Sequence, residues 1–281
     1  MKKTILYLML GLFSLEMYAQ DYVPNRDEIE AFFHTKTLVV LQDNPLLEYN
    51  MIMRKVMEQE WNITEFDFIT FSEFDKKRKD PQYSFIYQSS VTFENDKTDA
   101  RYRFLHLSLG GDYFRKNQMP DLASIPLAFY GVEEDKYIYK LGLLVRFMQN
   151  HAKLIKEKPE IVSQNVFKYY NENIKDIQGK TLYLLEEELS KSVNSAARIK
   201  KLYPYKFEIV TKEDIQKAIK EKNEDIVFLH KVGPEGTKVN ARCYKIILGA
   251  GDDNFYYFNY HKISGKKPDG ILPEDFKRLA K

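Results

Sequence analysis

The stretch KTLVVL at residues 36–41 is nearly repeated as KTLYLL at residues 180–185. Each is a short continuous apolar run, which is typical of a strand covered on both faces in a parallel sheet. Three further segments match in the same order: WNITEFDFIT (61–70) with LYPYKFEIVT (202–211), SFIYQSSV (84–91) with DIVFLHKV (225–232), and RFLHLSLGGD (103–112) with YKIILGAGD (244–252). Four matches in one order predict an internal duplication.

Strand and helix patterns alternate in the same way in both halves. In the first half they predict strands at 37–41, 65–70, 83–91, 102–109 and 124–130, and helices starting at Asn44, at Thr70 and near Lys136. In the second half they predict strands at 181–185, 206–210, 225–231, 240–248 and 255–260, and helices at 187–201, 212–222 and 273–280. Capping boxes are expected at Thr70 with Glu73 and at Thr211 with Asp214.

These elements predict an α/β fold of two tandem similar lobes. Each lobe is expected to be a small mixed, mostly parallel sheet with helices on both faces, in the order βαβαβββα. The first lobe spans 20–156, a helical linker spans 157–179 and the second lobe spans 180–281. We expect the duplicated pair to pack about a pseudo-twofold axis, with a binding groove between the lobes.

The first nineteen residues have the pattern of a signal peptide. Lys2 and Lys3 precede an apolar run that is too short to span a bilayer, and the small residue Ala19 marks the expected cleavage site. No cysteine follows the run, which excludes a lipobox. The pattern therefore predicts a periplasmic or secreted protein with no transmembrane segment after cleavage. Cys243 is the one cysteine, so no internal disulfide is expected.

The charge balance argues against a polyanionic partner. Cleavage after Ala19 removes two lysines and one glutamate, which lowers the formal net charge from +2 to +1. A chain so balanced has no overall field that attracts nucleic acid. The expected partner is therefore a small molecule or an envelope protein.

The loops after the first strand of each half are the first candidate site, because ligands of open α/β sheets gather beyond the carboxyl ends of the strands. Asp43 and Asn44 follow the first strand, and Glu186 and Glu187 follow its counterpart. Neither loop contains the glycines that a pyrophosphate site needs, which excludes the usual nucleotide motifs. Two interpretations remain open: a helix start stabilised by negative charge, or binding of a cation or an amine.

Three further candidates lie near turns and aromatic residues. Asp112 and Asp252 end the paired LGGD and GAGD segments, which also fit hairpin turns. Tyr257 lies in NFYYFNYHK (254–262), where aromatics on both faces indicate either a fully buried strand or an exposed aromatic surface. The five histidines show no zinc-binding spacing, and no hydrolase motif is present. We therefore predict no metal and no cofactor.

The residues favour an exported, non-catalytic protein that binds a ligand or partner between its lobes. In layout alone it resembles the two-lobed solute-binding proteins. The alternatives are an envelope scaffold that contacts another protein, and an enzyme of unrecognised type.

Overall fold

The computed structural model describes residues 22–93, 96, 98–163, 166–235 and 240–281. The signal peptide predicted at residues 1–19 lies outside these residues. Within them the chain forms two five-stranded sheets. The strands of the first sheet are β1 Lys36–Val40, β2 Phe66–Ile69, β3 Tyr83–Val91, β4 Tyr102–Leu109 and β5 Asp121–Phe129. Those of the second are β6 Thr181–Leu185, β7 Phe207–Val210, β8 Ile226–Val232, β9 Arg242–Gly249 and β10 Phe255–Lys262.

Both sheets have the same strand order and the same strand directions. β1 lies between β2 and β3 and is parallel to both, while β4 and β5 follow β3 in antiparallel steps. β6 lies in the same way between β7 and β8, followed by β9 and β10. The α/β class and the mixed sheets are thus confirmed. Parallel and antiparallel pairings are equal in number, because β4 and β9 oppose their neighbours, so the sheets are less parallel than the sequence predicts.

Short helices connect and flank the strands. In the described residues they are α1 Arg26–Phe32, α2 Glu48–Glu60, α3 Phe71–Lys77, α4 Leu141–Glu157, α5 Glu160–Ser163, α6 Val166–Asn171, α7 Ala196–Lys200, α8 Lys212–Lys220 and α9 Pro273–Leu279. Both predicted capping boxes are present: the hydroxyl of Thr70 accepts from the backbone N–H of Glu73, and that of Thr211 from Asp214, each at 3.3 Å. Each cap satisfies an otherwise unpaired donor of the first helical turn.

Two predicted helices start or end elsewhere. α2 begins four residues after Asn44, because the carbonyl of Asn44 accepts from the N–H of Leu47 at 3.2 Å and closes a turn instead. The helix predicted over 187–201 is wrong except at α7. Leu189 forms a parallel bridge with Ile271, and the N–H of Ser190 donates to the carbonyl of Ile271 at 3.3 Å. Backbone groups used in this bridge are not available to a helix.

Helix α4 lies in a hydrophobic core that both sheets share. Eleven of its 17 residues are buried, and eight of these are apolar. The same core cluster contains Val39 and Leu107 from the first sheet and Phe228 and Leu248 from the second. The two lobes therefore share one core, and each has a further hydrophobic cluster on its outer face.

The lobes meet through faces that are not equivalent. In the first lobe the helix of the first crossover, α2, lies in the shared core, and Phe74 of α3 lies on the outer face. In the second lobe the arrangement is reversed: Ile199 of α7 lies outside, and Ile215 of α8 lies in the shared core. The lobes are therefore stacked front to back, and the expected pseudo-twofold packing is wrong.

Polar contacts fix this stack on both sides of α4. The guanidinium of Arg146 donates to both carboxylate oxygens of Asp253 at 2.8 Å, and it also contacts Glu60 at 3.1 Å. The hydroxyl of Tyr102 donates to the carbonyl of Arg242 at 3.1 Å, which joins β4 to β9. Charged and hydroxyl groups from the first half thus bind the second half directly.

The linker covers the edge of the second sheet. The side chain of Asn171 in α6 donates to the carbonyl of Phe258 at 3.1 Å and accepts from its N–H at 2.7 Å. Both backbone groups of one residue of the edge strand β10 are therefore satisfied without a sixth strand.

Met148, which is fully buried in α4, tests the shared core. We expect Met148→Ala to lower the free energy of unfolding by about 2–5 kcal/mol, because it leaves a cavity between the sheets. Urea unfolding should remain one transition whether followed by far-ultraviolet circular dichroism or by fluorescence of Trp61, which lies in the first lobe. The control is Met51→Ala at an exposed site. Two separate transitions, with one unaffected by Met148→Ala, would contradict a shared core.

Candidate functional site

A cavity of about 340 Å³ lies between the lobes, at the carboxyl end of β6. The first half contributes the end of β5 and the two 3₁₀ turns Glu134–Lys136 and Ile138–Lys140 that precede α4. The second half contributes the 3₁₀ turn Glu186–Glu188, the end of β8 and Asp269. This position agrees with the rule that ligand sites lie beyond the carboxyl ends of parallel strands.

The loss of the predicted helix after β6 brings Glu188 into this cavity. Its carbonyl accepts from the N–H of Ile271 at 2.9 Å, which holds the segment against residues 269–272. Gly270 has φ +107°, and a side chain there would lie 2.8 Å from the carbonyl oxygen of Glu188. The close approach therefore requires glycine at position 270.

Lys140 is a buried cation in the wall of the cavity. It is the N-cap residue of α4 and is only 2% exposed. Its ammonium nitrogen lies 3.7 Å from Oε1 of Glu188 and 3.5 Å from Nδ1 of His230. Both distances are long for direct hydrogen bonds, so the contact with Glu188 is an ion pair across the lobe boundary.

His230 is neutral in this environment. Its Nε2 lies 2.9 Å from the carbonyl of Pro126, which places the ring proton on Nε2 and leaves Nδ1 as the acceptor that faces Lys140. Burial, together with the ammonium of Lys140, lowers the pKa of His230 to about 3. The imidazole therefore does not exchange a proton near neutral pH.

Burial also affects the ionisation of Glu188 and Lys140. It raises the pKa of Glu188, although the ammonium groups of Lys140 and Lys231 oppose the change. For Lys140 burial disfavours the charged form, but Tyr139 and Glu188 outweigh it and the pKa is raised. Burial therefore disfavours the charged form of both partners, and their mutual attraction opposes it.

A second ion pair lies beside the first. Nζ of Lys231 is 2.5 Å from Oδ2 of Asp269, and each side chain is about 10% exposed or less. Oδ1 of Asp269 lies over Gly233, where a Cβ atom would come within 2.7 Å of it. The cavity wall therefore carries two buried ion pairs, of which the first joins the two lobes.

Of the residues predicted from the loops after the first strands, one lines the cavity. Glu187 lies at its rim, whereas Glu186 is exposed and does not line it. Asp43 and Asn44 are exposed at the end of β1 in the other lobe. The structure does not bring the two loops together, because the lobes stack front to back.

The remaining candidates lie outside the cavity. Asp112 is exposed, and Asp252 forms an ion pair with Lys180 at 2.9 Å beside the β9–β10 turn. Tyr257 is buried, and its hydroxyl donates to Asp275 at 2.7 Å. Each of these residues has a structural partner or lies in solvent.

Sequence reasoning missed the central residues of the cavity, namely Lys140, His230, Lys231 and Asp269. The usable signal was charge inside apolar runs: Lys140 interrupts YIYKLGLL (137–144), and Lys231 interrupts VFLHKV (227–232). A lysine in a buried segment requires an acidic partner. The sequence did not indicate which acid supplies it.

A contrasting buried network lies on the outer face of the second sheet. Asp275 accepts from Lys245 at 2.9 and 3.1 Å, from Tyr257 and Asn259 at 2.7 Å, and from the N–H of Leu272 at 2.9 Å. Both carboxylate oxygens are fully used, and burial is outweighed so that the pKa of Asp275 is lowered. This network holds α9 on the sheet and has no capacity left for a ligand.

Two other features resemble sites: a smaller apolar cavity, and a histidine between two serines. A smaller cavity of about 210 Å³ lies between β5, α4 and α6, with Phe147, Tyr170 and Phe255 in its mainly apolar wall. On the outer face of the first sheet, Ser89 Oγ lies 2.7 Å from Nε2 of His106, whose Nδ1 contacts Ser124 at 2.5 Å. Ser124 and Asp121, which contact His106, line the smaller cavity, whereas Ser89 and His106 line neither cavity.

The described part of the chain was found to hold neither a cluster of metal-ligating side chains nor a helix suited to span a membrane. Among those residues no group of three or more His, Cys, Asp or Glu side chains could hold a metal ion. No helix there has both the length and the apolar character needed to cross a bilayer.

No family model, curated protein or solved structure matches the chain.

Replacing Lys140 by methionine tests the ion pair across the lobe boundary. We expect Lys140→Met to lower the free energy of unfolding at pH 7 by about 3–5 kcal/mol, because Glu188 loses its opposing charge. This loss of unfolding free energy should become smaller as the pH is lowered. A carboxyl group whose pKa is higher in the folded state lowers the free energy of unfolding at pH values above that pKa. This loss disappears below the pKa of glutamate in the unfolded chain, about 4.3. Urea unfolding between pH 4 and pH 8 measures both effects.

The double variant K140M/E188Q is the control for this pair. It should recover much of the loss, since no uncompensated charge remains. If the stability losses of K140M and E188Q simply add in the double variant, the two side chains do not interact. A K140M loss that grows toward pH 4 would also count against the ion pair.

Proposed function

We propose that this protein is a non-catalytic binding protein that holds a small ligand in the cavity between its lobes. The observation that carries the proposal is the cavity itself. Its volume of about 340 Å³ lies at the lower end of the range of roughly 300–1,000 Å³ typical of small-molecule sites. Its lining combines Leu127 and Val232 with a few buried charged groups, as such sites do.

The ionisable groups around the cavity favour binding over catalysis. The proton of His230 is engaged by a backbone carbonyl, and its low pKa removes it as a base at neutral pH. Cys243 is fully buried, and burial raises the pKa of its thiol to about 12. A thiol in this state is a poor nucleophile.

We also propose that the lobes arose by internal duplication. The support is the identical strand order and direction of the two sheets, together with the four matched sequence segments. In this proposal only the second copy supplies its loop after the first strand to the cavity.

Binding can be tested by a thermal-shift screen of sugars, dicarboxylates, amino acids and diamines, with Ala128→Phe as the blocked variant. Ala128 is buried in the cavity wall, so a phenyl group there should fill the site. A ligand at about 100 times its Kd adds about 2.7 kcal/mol to the stability, a rise in Tm of several degrees that Ala128→Phe should abolish.

The matched control for the blocked variant is Ala197→Phe, at an exposed position of α7. It should keep the full thermal shift. A ligand that stabilises Ala128→Phe as strongly as the natural protein would place binding outside the cavity. No shift with any of the four classes would count against the proposed function.

Export is proposed from the N-terminal sequence. Expressed in bacteria with its natural N-terminus, the protein should be recovered outside the cytoplasm with Gln20 as its first residue, as measured by intact mass. Ala19→Arg should block the cleavage, because signal peptidase requires a small residue there. Recovery of the full-length chain from the cytoplasm would contradict the proposal.

A further inference from the structure

We infer that the ligand of the cavity between the lobes is a small organic cation that carries a primary ammonium group, held by the carboxylates of Glu188 and Asp269. This inference rests on the proposed function and names the chemical class that the site accepts.

The first observation is that both carboxylates have an oxygen without a hydrogen-bond partner. Oε2 of Glu188 and Oδ1 of Asp269 are buried, and neither has a hydrogen-bond partner of good geometry among the described residues. The backbone N–H of Lys231 lies close enough to the Glu188 carboxylate to act against the rise in its pKa. Within the described residues these are the two buried carboxylate oxygens in this condition, and both residues line the same cavity. Glu188 is 6% exposed, so solvent does not compensate it from outside the cavity.

Other buried acids in the molecule are satisfied, which makes these two exceptional. Asp275 accepts five hydrogen bonds from four donor groups, and Asp253 is held by two nitrogens of Arg146. Asp96 binds Arg242 and Lys262. An unsatisfied buried acceptor costs about 1–3 kcal/mol, and more when it is charged. A ligand that donates to both oxygens removes this cost.

An ionised carboxylate only accepts hydrogen bonds, so the ligand must supply N–H or O–H donors. Positively charged donors form bonds to carboxylates that are about twice as strong as neutral ones. An ammonium group supplies three such donors around a single point, which suits acceptors that approach from two walls. The positive charge of the ligand is also attracted to the negative charge of Glu187, which has no ion-pair partner among the described residues.

An anionic ligand fits this lining poorly. The lysines around the cavity already have acidic partners: Lys136 contacts Glu235, Lys212 contacts Asp135 at 2.9 Å, and Lys231 contacts Asp269. A bound anion would have to displace these carboxylates. A metal cation is also disfavoured, since hard cations take six or more oxygen ligands and the described residues offer no such group.

Isothermal titration calorimetry of the mature chain tests the inference with two amines, putrescine and L-lysine, and two probes without an amine, succinate and glucose. We expect an amine to bind with one-to-one stoichiometry. Glu188→Gln and Asp269→Asn should each weaken it by at least about tenfold, because each removes a charge-assisted hydrogen bond. K140M/E188Q serves as the second variant if Glu188→Gln does not fold.

Two acids serve as matched controls. Asp253→Asn removes a buried acid away from the cavity, and Glu58→Gln removes an exposed acid that does not line it. Both should retain amine affinity within about threefold.

The outcomes separate the inference from the proposed function. If succinate or glucose binds, Ala128→Phe abolishes that binding, and neither amine binds, then the inference of a cationic ligand is wrong. The proposal that the cavity binds a ligand then still stands. If an amine binds and neither Glu188→Gln nor Asp269→Asn weakens its binding, then these two carboxylates do not hold the ligand and the inference is wrong. Failure of all four probes, together with a thermal-shift screen in which no class binds, removes both proposals.

Discussion

Burial of α4 between two sheets is the constraint on which the rest of the structure depends. A helix with 11 of 17 residues buried is stable only where apolar surface lies on both sides, so it fixes the distance and orientation of the lobes. Lys140 directly precedes the helix, and its ammonium is carried to the boundary where Glu188 of the second lobe opposes it. The candidate site is thus a product of how the lobes stack, and neither lobe contains it alone.

Most of the fold could be predicted from local patterns. β3 and β4 have the bounds expected from sequence, and the caps at Thr70 and Thr211 form as their residue types require. The failures lie where distant contacts override local preference. Residues 187–195 have a helical pattern, but the bridge between Leu189 and Ile271 uses their backbone groups. The front-to-back stacking has no local signature, because it depends on which face of each sheet is left uncovered.

The candidate site was less predictable than the fold. The carboxyl-end rule led to Glu187, which does line the cavity. Its chemistry comes from Lys140, His230 and Asp269, which are separated by up to 129 residues and meet only in the folded chain. A lysine within an apolar run indicates a buried ion pair, but not the identity of its partner. The interpretation of the acidic loop as an amine site, left open by sequence, gains support from the unsatisfied oxygens beside it.

The front-to-back stack also explains why the two terminal helices of the lobes differ so much. α4 and α9 both close a βαβαβββα unit and both lie on the face that carries the first crossover helix. α4 has a second sheet beyond it and buries 11 of its 17 residues, whereas α9 buries Phe276 and Leu279 and turns Lys277 and Arg278 to solvent. A heterologous arrangement of this kind is open-ended in principle, as in solenoid proteins. The outer side of α9 carries Lys277 and Arg278 where α4 carries a second sheet.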